Sequence, residues 1–401
     1  MFNNMKFKVI FFGFIFTFFS SFGQSYFLGL FNSSIRDTLS ITHGQFGSIY
    51  ASATLFSSVL LIWVGKKIDD VNIFKFAIFV TILLAFACFF FSKISSILLL
   101  FIGIFLMRFS GQGMMSHTAS TTISRYFTKT RGRALSISWF GLSSAEFILP
   151  VLMVYLLTLI DWQNLWVIFS FTVLIVLPMA SFLLIRNLKL DSREGQDENI
   201  KEVEIKQWQR REVIKDYRFY IISLNMLSMP WIFTGFAVFQ SFVQTSKGWG
   251  PYVIAQSFMS YSIFSVLTLF ISGFLIDKFT SRKLLIFMNI PLLFSVIILL
   301  FFDNPISAFV FLGLVGISNG FANILGSSTW AELYGVKYIG SIKALTTALM
   351  VFATAFGTAL FGFLIDIGFS VGDIAIVSGV YIFISLVLLF LIRNKLNPIL
   401  I

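Results

Sequence analysis

The chain has 401 residues, 57% of them hydrophobic and 12% charged, with a formal net charge of +11 and a mean hydropathy of +0.90. A soluble domain carries roughly a quarter of its residues as charges, so most of this surface must face something apolar, and the lipid bilayer is the solvent that fits. A lone cysteine, Cys88, and two histidines, His43 and His117, leave no material for a disulfide, an iron–sulfur cluster or a histidine-built zinc site.

Apolar runs long enough to cross a bilayer as helices, about 20 residues each, fall at 7–31, 45–64, 74–92, 97–126, 134–158, 163–186, 218–243, 253–276, 284–302, 306–335, 342–365 and 373–392. The first begins like a signal peptide, with Lys6 and Lys8 ahead of an apolar stretch and Ser20-Ser21-Phe22-Gly23 after it. That stretch continues through Phe31, longer than a secretory core, so it reads as the first span. The runs at 97–126 and 306–335 exceed one bilayer thickness, and tilt or extension beyond the membrane is expected of them. The expected class is an all-α integral membrane protein of about twelve transmembrane helices.

Charge in the loops sets the sidedness. The even-numbered loops hold Lys66, Lys67, Lys75, Arg125, Lys129, Arg131, Arg133, Lys278, Arg282 and Lys283, whereas the odd-numbered ones hold Arg36, Lys93 and Lys247. The excess of Lys and Arg marks the cytoplasmic side. Both termini are therefore expected in the cytoplasm of a multi-pass protein of the plasma (inner) membrane. The positive charge is spread loop by loop, which accounts for it without nucleic acid as a partner.

One long polar segment, 187–217, has acids and bases nearly in balance, and Glu202–Lys206 is spaced for a helix-surface pair. It reads as a solvated cytoplasmic linker between an N-terminal six-helix bundle, 1–186, and a C-terminal one, 218–401. The two bundles look pseudo-symmetric. Gly65 and Gly273 lie 208 residues apart, as do Gly132 and Gly340, and Gln112-Gly113 is matched by Asn319-Gly320 at an offset of 207. A repeat of this kind is expected of a carrier whose two similar halves rock about a central site.

These residues resemble the major facilitator superfamily. Gly65-x-x-x-Asp69 after the second span, repeated as Gly273-x-Leu275-x-Asp277-Lys278 after the eighth, is similar to its loop signature, although Asp70 stands where a basic residue is usual. Arg108-Phe-Ser-Gly111-Gln112-Gly113 resembles its fourth-span arginine motif with the glycines shifted by one. Arg125-Tyr-Phe127 followed by Arg131-Gly132-Arg133-Ala134 is similar to the monocarboxylate and oxalate/formate porter branch, yet the eighth span lacks that branch's basic residue. Gly141 to Pro150 does not meet the glycine–proline pattern of drug/proton antiporters. The resemblance implies that spans one, four, seven and ten line the path.

The loop motif has its own physics. Glycine lets two helices approach, and an aspartate at the membrane edge can pair with an arginine or a helix N-terminus. Gly65, Asp69, Gly273 and Asp277 are read as a conformational latch, with Arg131 or Arg133 as partner; ordinary turns with positive-inside charges are the alternative.

Three ionisable residues at membrane depth are hard to explain as packing, since each costs roughly 2.5–3.5 kcal/mol even on a lenient insertion scale. At about 1.5 Å per residue, His117 lies ~14 Å deep, Glu146 ~20 Å and Arg108 ~27 Å. Glu146 is then within reach of either neighbour if the helices are adjacent. A regular helix would put Arg108 and His117 on opposite sides of the fourth span. Arg108 shares its face with Gln112, Met115, Ala119 and Thr122, and this face is taken to line the cavity. Arg108 is read as the fixed charge for an anionic substrate or as the partner of Glu146, which takes the proton when that partner leaves; a permanent structural pair is the rival. His117 reads as a packing residue or a proton relay.

Further substrate contacts are expected at Gln24, beside Thr17 and Ser20, at Asn319 and Asn323 in a stripe with Ser327 and Trp330, and at Trp231 and Thr234, near Asn225, Gln240 and a kink at Pro230. The sum is a monomeric secondary transporter without a cofactor, moving a small solute, a monocarboxylate or similar anion, with H+ as coupling ion. An efflux carrier for amphipathic compounds, or a solute sensor built on a transporter frame, are the alternatives. A membrane enzyme would need a nucleophile–base pair or metal ligands that the sequence does not supply, and no G-x-x-x-x-G-K-[ST] loop offers ATP hydrolysis.

Overall fold

The structure is a computed structural model that describes residues 4–127, 130–186, 188 and 206–398. Among these, twelve helices are long and apolar enough to cross a membrane, and there is no strand. Spans 1 to 6 are Met5–Gly29, His43–Ile68, Ile73–Phe91, Ile97–Tyr126, Gly132–Leu157 and Trp162–Ile185. Spans 7 to 12 are Tyr217–Val238, Val253–Ile276, Ser281–Phe301, Pro305–Tyr334, Ile339–Asp366 and Val371–Lys395. Helices of this kind satisfy their backbone groups within one segment, as crossing hydrocarbon requires. Bulky side chains on their outer faces, such as Phe171, Ile175 and the 78% exposed Phe274, would meet lipid.

The chain divides into two compact units, Met1–Glu198 and Asn199–Ile401. In the first, span 1 packs chiefly on span 5, span 2 on span 4 and span 3 on span 6. In the second, span 7 packs on span 11, span 8 on span 10 and span 9 on span 12. Span 9 packs on span 10 as well, so the second unit follows the pairing of the first in outline.

Small residues make these pairings close, because helices in lipid associate by packing and not by expelling water. A Cβ on Gly141 would strike the carbonyl of Phe14 and the hydroxyl of Thr17, and one on Gly13 would strike Ser138. Thr17 donates to the Ser138 carbonyl at 2.6 Å across the same crossing. In the second unit Gly357 sits on the Trp231 backbone, and Gly316 and Gly320 sit on the backbone of span 8 at Tyr261 and Ser265. Gly65 and Gly273 do not play this part. Gly65 meets only the His117 ring at ordinary contact distance, and Gly273 has open space around it, inside a helix that runs unbroken from Val253 to Phe279.

Several spans are interrupted. Span 1 leaves the α-helix at Ser21–Gly23, and Gln24 is extended. Span 4 passes through a π-helical stretch, Arg108–Met115. Span 9 resets at Asn289, whose side-chain amide donates to the Asn225 carbonyl of span 7 at 2.5 Å. Most of 187–217, with Glu202, lies outside the described residues. Of its end, Lys206 pairs with Glu212 at 2.8 Å, and this contact, with the Gln209 N–H, holds the exposed Glu212 carboxyl below its ordinary range.

Candidate functional site

The break in span 1 and the π stretch in span 4 meet. In a continuous helix the Gly23 carbonyl would accept from the Phe27 N–H, but that N–H bonds to Gln24 instead, and Gly23 is turned outward. Arg108 fills the gap: its Nη1 donates to the Gly23 carbonyl at 3.0 Å and to the Ser25 hydroxyl at 3.2 Å. Tyr50 of span 2 donates to the same hydroxyl at 3.0 Å, and its ring centroid lies 5.4 Å from the guanidinium carbon. Backbone contact is so close that a Cβ on Gly23 would overlap Met107 and Gln112, and one on Gly111 would overlap Gly23. π turns inside α-helices are often found at functional sites, and here the wider turn places the arginine opposite the freed carbonyl.

Arg108 is only 2% exposed, and its Nε has no hydrogen-bond partner. Among the described residues no carboxylate lies within ion-pairing distance of it. Removing a guanidinium from water without a counter-charge costs several kcal/mol. Gln24 and Gln112, both half-buried, flank this junction, and neither side-chain amide has a protein partner among the described residues. This is where a solute could complete the hydrogen bonding.

Glu146, on span 5, is buried at 8% exposure and does not pair with Arg108. Among the described residues its carboxyl has no ion-pair partner. Depth alone suggested the arginine, but depth says nothing of direction. His117 does not join either of them. Its Nε2 lies 3.0 Å from the Gly65 carbonyl, and Arg125 donates to the Ile68 carbonyl at 3.0 Å. The end of span 4 thus grips the connection between spans 2 and 3 through carbonyls at its helix end. Arg133 is exposed, and the side chains of Asp69, Arg131, Asp277 and Ser327 lie outside the described residues, so the aspartate–arginine latch does as well.

The second unit has a clasp that sequence reasoning missed. Glu332, near the end of span 10, accepts from the Ser281 N–H at 2.9 Å and from Arg282 Nε at 3.3 Å, capping the start of span 9. Thr280, just before it, has φ 69° and ψ 150°, a conformation costing about 1–3 kcal/mol for a non-glycine residue. Arg282 also donates to the Leu396 carbonyl at 2.8 Å. Beside it, Arg218 and Asp216 form a bidentate pair, the closest contact 2.8 Å, while Arg218 donates to the Asn397 carbonyl and Tyr334 donates to Asp216. The signals were present in the sequence: Glu332 is the one acid in its span, and Asp216-x-Arg218 stands at the opening of span 7. Glu332→Gln should cost about 1–3 kcal/mol, since it weakens charge-assisted bonds. A melting temperature in detergent equal to that of wild type would remove the clasp from consideration.

Spans 7, 9, 10 and 11 enclose a cavity of about 210 Å³ lined by Asn319, Asn323, Trp330, Pro230, Thr346, Thr354 and four methionines, 226, 229, 288 and 350. No charged side chain lines it. Asn319 donates to Ser265 of span 8 at 2.9 Å, and Asn323 is exposed. Trp231 and Thr234 are not part of the lining. Trp231 is buried with Phe356, Phe361 and Tyr381, because Gly357 lets its backbone dock on span 11. Asn225 is held in the core by Asn289, and Gln240 bonds to Ala237 and lines a separate, small apolar pocket.

The family model of the Major Facilitator Superfamily matches residues 13–358. No curated protein sequence matches the chain. Among solved structures, a bacterial homologue of the human lysosomal transporter Spinster is similar over 98% of each chain at 14% identity, with a TM-score of 0.75. The nucleoside transporter NupG is similar over 98% of this chain and 99% of its own at 13% identity, with a TM-score of 0.71. At such identities the likeness is one of fold.

Proposed function

Because the chain belongs to the Major Facilitator Superfamily, we propose that this multi-pass transporter moves a small organic anion, of the monocarboxylate kind, by alternating access with proton coupling. The bundles 1–186 and 218–401 would be the moving halves and 187–217 their tether, and loop charge supports both termini in the cytoplasm of the plasma membrane. The observation that carries the reading is Arg108, a buried guanidinium within span 4 with no carboxylate partner among the described residues, flanked by the amides of Gln24 and Gln112, which find no protein partner among them either. A substrate carboxylate would supply the missing counter-charge.

Glu146 is the coupling group in this scheme. In this reading Glu146 takes up a proton as the anion binds and gives it up when the carrier opens to the other side. Protonation and anion binding then go together, and the loaded carrier crosses without a net buried charge. The uncharged, methionine-rich cavity of the second unit supports a cargo with an apolar body. That same cavity favours the second reading, efflux of amphipathic compounds, which would have little need of Arg108.

Proteoliposomes with an imposed pH gradient separate these. Wild type should accumulate short monocarboxylates in preference to nucleosides or lipophilic cations. Glu146→Gln should lose at least about tenfold of gradient-driven accumulation yet keep substrate counterflow, which needs no net proton movement. Gradient-driven accumulation at the wild-type level by Glu146→Gln would exclude Glu146 as the coupling group.

A further inference from the structure

At the end of the second unit where spans 9 and 12 meet, a cavity of about 330 Å³ opens beside the clasp, lined by Thr280, Arg282, Lys283, Arg393, Asn394 and Asn397. Ile286 and Leu396 complete its lining, so three of the eight residues are cations. Arg282 spends its Nε on Glu332 and its Nη1 on the segment after span 12. Lys283 and Arg393 are not neutralised: among the described residues no carboxylate is within ion-pairing distance of either. Arg393 is held over the Phe390 ring, its guanidinium carbon 3.7 Å from the centroid, and donates to the Phe390 carbonyl. This fixes its position without using up its charge. The Thr280 hydroxyl is buried without a hydrogen-bond partner, on the residue with the strained backbone.

The surroundings identify the occupant. Directly flanking the cations, Phe279, Phe287, Phe390 and Leu391 are 43% to 69% exposed on the outer faces of spans 8, 9 and 12, faces that would meet acyl chains. A cation-walled recess bordered by outward-facing apolar side chains matches the two parts of a phospholipid, a phosphodiester to be neutralised and tails to be covered. We propose that this recess binds the phosphate headgroup of an anionic phospholipid, with Lys283 and Arg393 as its charge partners. Arg282, already engaged with Glu332 and Leu396, lines the back wall. The seated lipid would bear on the clasp itself, since Arg282 belongs to both.

The test uses the whole protein in detergent, titrated with phosphatidylglycerol, phosphatidylcholine or inorganic phosphate and followed by native mass spectrometry and melting temperature. Phosphatidylglycerol should remain bound and raise the melting temperature, whereas phosphatidylcholine and inorganic phosphate at the same concentration should not. The double variant Lys283→Gln/Arg393→Gln should bind phosphatidylglycerol on the order of tenfold more weakly, with its melting temperature in plain detergent unchanged. The Lys283→Arg/Arg393→Lys variant should restore binding, which a damaged fold would not. Equal retention of both lipids, an undiminished affinity in the double variant, or stabilisation by inorganic phosphate equal to that by the lipid would each overturn the proposal, the last by making the recess a free-phosphate site.

Discussion

On the proposed function, Arg108→Ala is expected to reduce anion uptake by about 100-fold or more, with the protein less stable but still able to insert. The first part follows from the lost counter-charge: two charge-assisted bonds at about 1.5–3 kcal/mol each exceed the 2.7 kcal/mol or so that a hundredfold change requires. The second follows from the Gly23 carbonyl, which Arg108 alone is seen to satisfy at that break and which becomes an orphan acceptor worth about 1–3 kcal/mol. Arg108→Lys distinguishes the two. A lysine keeps the charge as a point source but lacks the planar fork, so uptake should stay low even where the melting temperature recovers. Proteoliposome uptake and counterflow, measured beside thermal unfolding, read both quantities. Wild-type uptake by Arg108→Ala would exclude an anion site at this residue.

Gly111→Val should remove most folded protein, and Gly111→Ala should already lower the melting temperature. The added Cβ would lie 2.6 Å from the Gly23 backbone nitrogen and 2.9 Å from its Cα, both rigid parts of the main chain. Overpacking against backbone costs about 1–3 kcal/mol for small insertions and more where nothing yields, and this contact also holds the π stretch against the break. Gly132→Ala and Gly340→Ala are the controls. Both glycines have open space about them, and these changes should stay within about 0.5 kcal/mol. Detergent-solubilised yield and melting temperature decide it. Equal losses at Gly111 and Gly132 would mean that the close approach is not what matters.

The span positions were legible because lipid makes a simple demand, a long apolar run, and each expected run overlaps an observed helix. The interruptions were not. Gln24 adopts an extended backbone with neither glycine nor proline at its own position, and nothing local in Arg108–Met115 announces a π turn; both are stabilised by each other across the bundle. Reading span 4 as a regular helix therefore carried the wrong phase past residue 108. Arg108, Gln24 and Gln112 do gather at one junction, as residues expensive to bury should. Glu146 was set beside the arginine by depth, but depth says nothing of direction, and the two form no ion pair. Trp231 was read as a cavity residue from its place on span 7 near Pro230, whereas the small residue that admits it, Gly357, lies on a helix 126 positions away. Glu332 stands out as the one acid in its span, but its partners are backbone N–H groups as much as a side chain, and the sequence does not say which ones it caps.

The π turn in span 4 holds one residue of slack. Taken up into an ordinary α-helix, it would rotate everything beyond it by about 100°, the angle of a single residue. Arg108 could stay fixed on Gly23 while His117 and Arg125 swung away from the Gly65 and Ile68 carbonyls that they now hold. Span 4 would then work as a gear, turning a small change at a buried charge into release of a distant connection, with the bundle otherwise at rest.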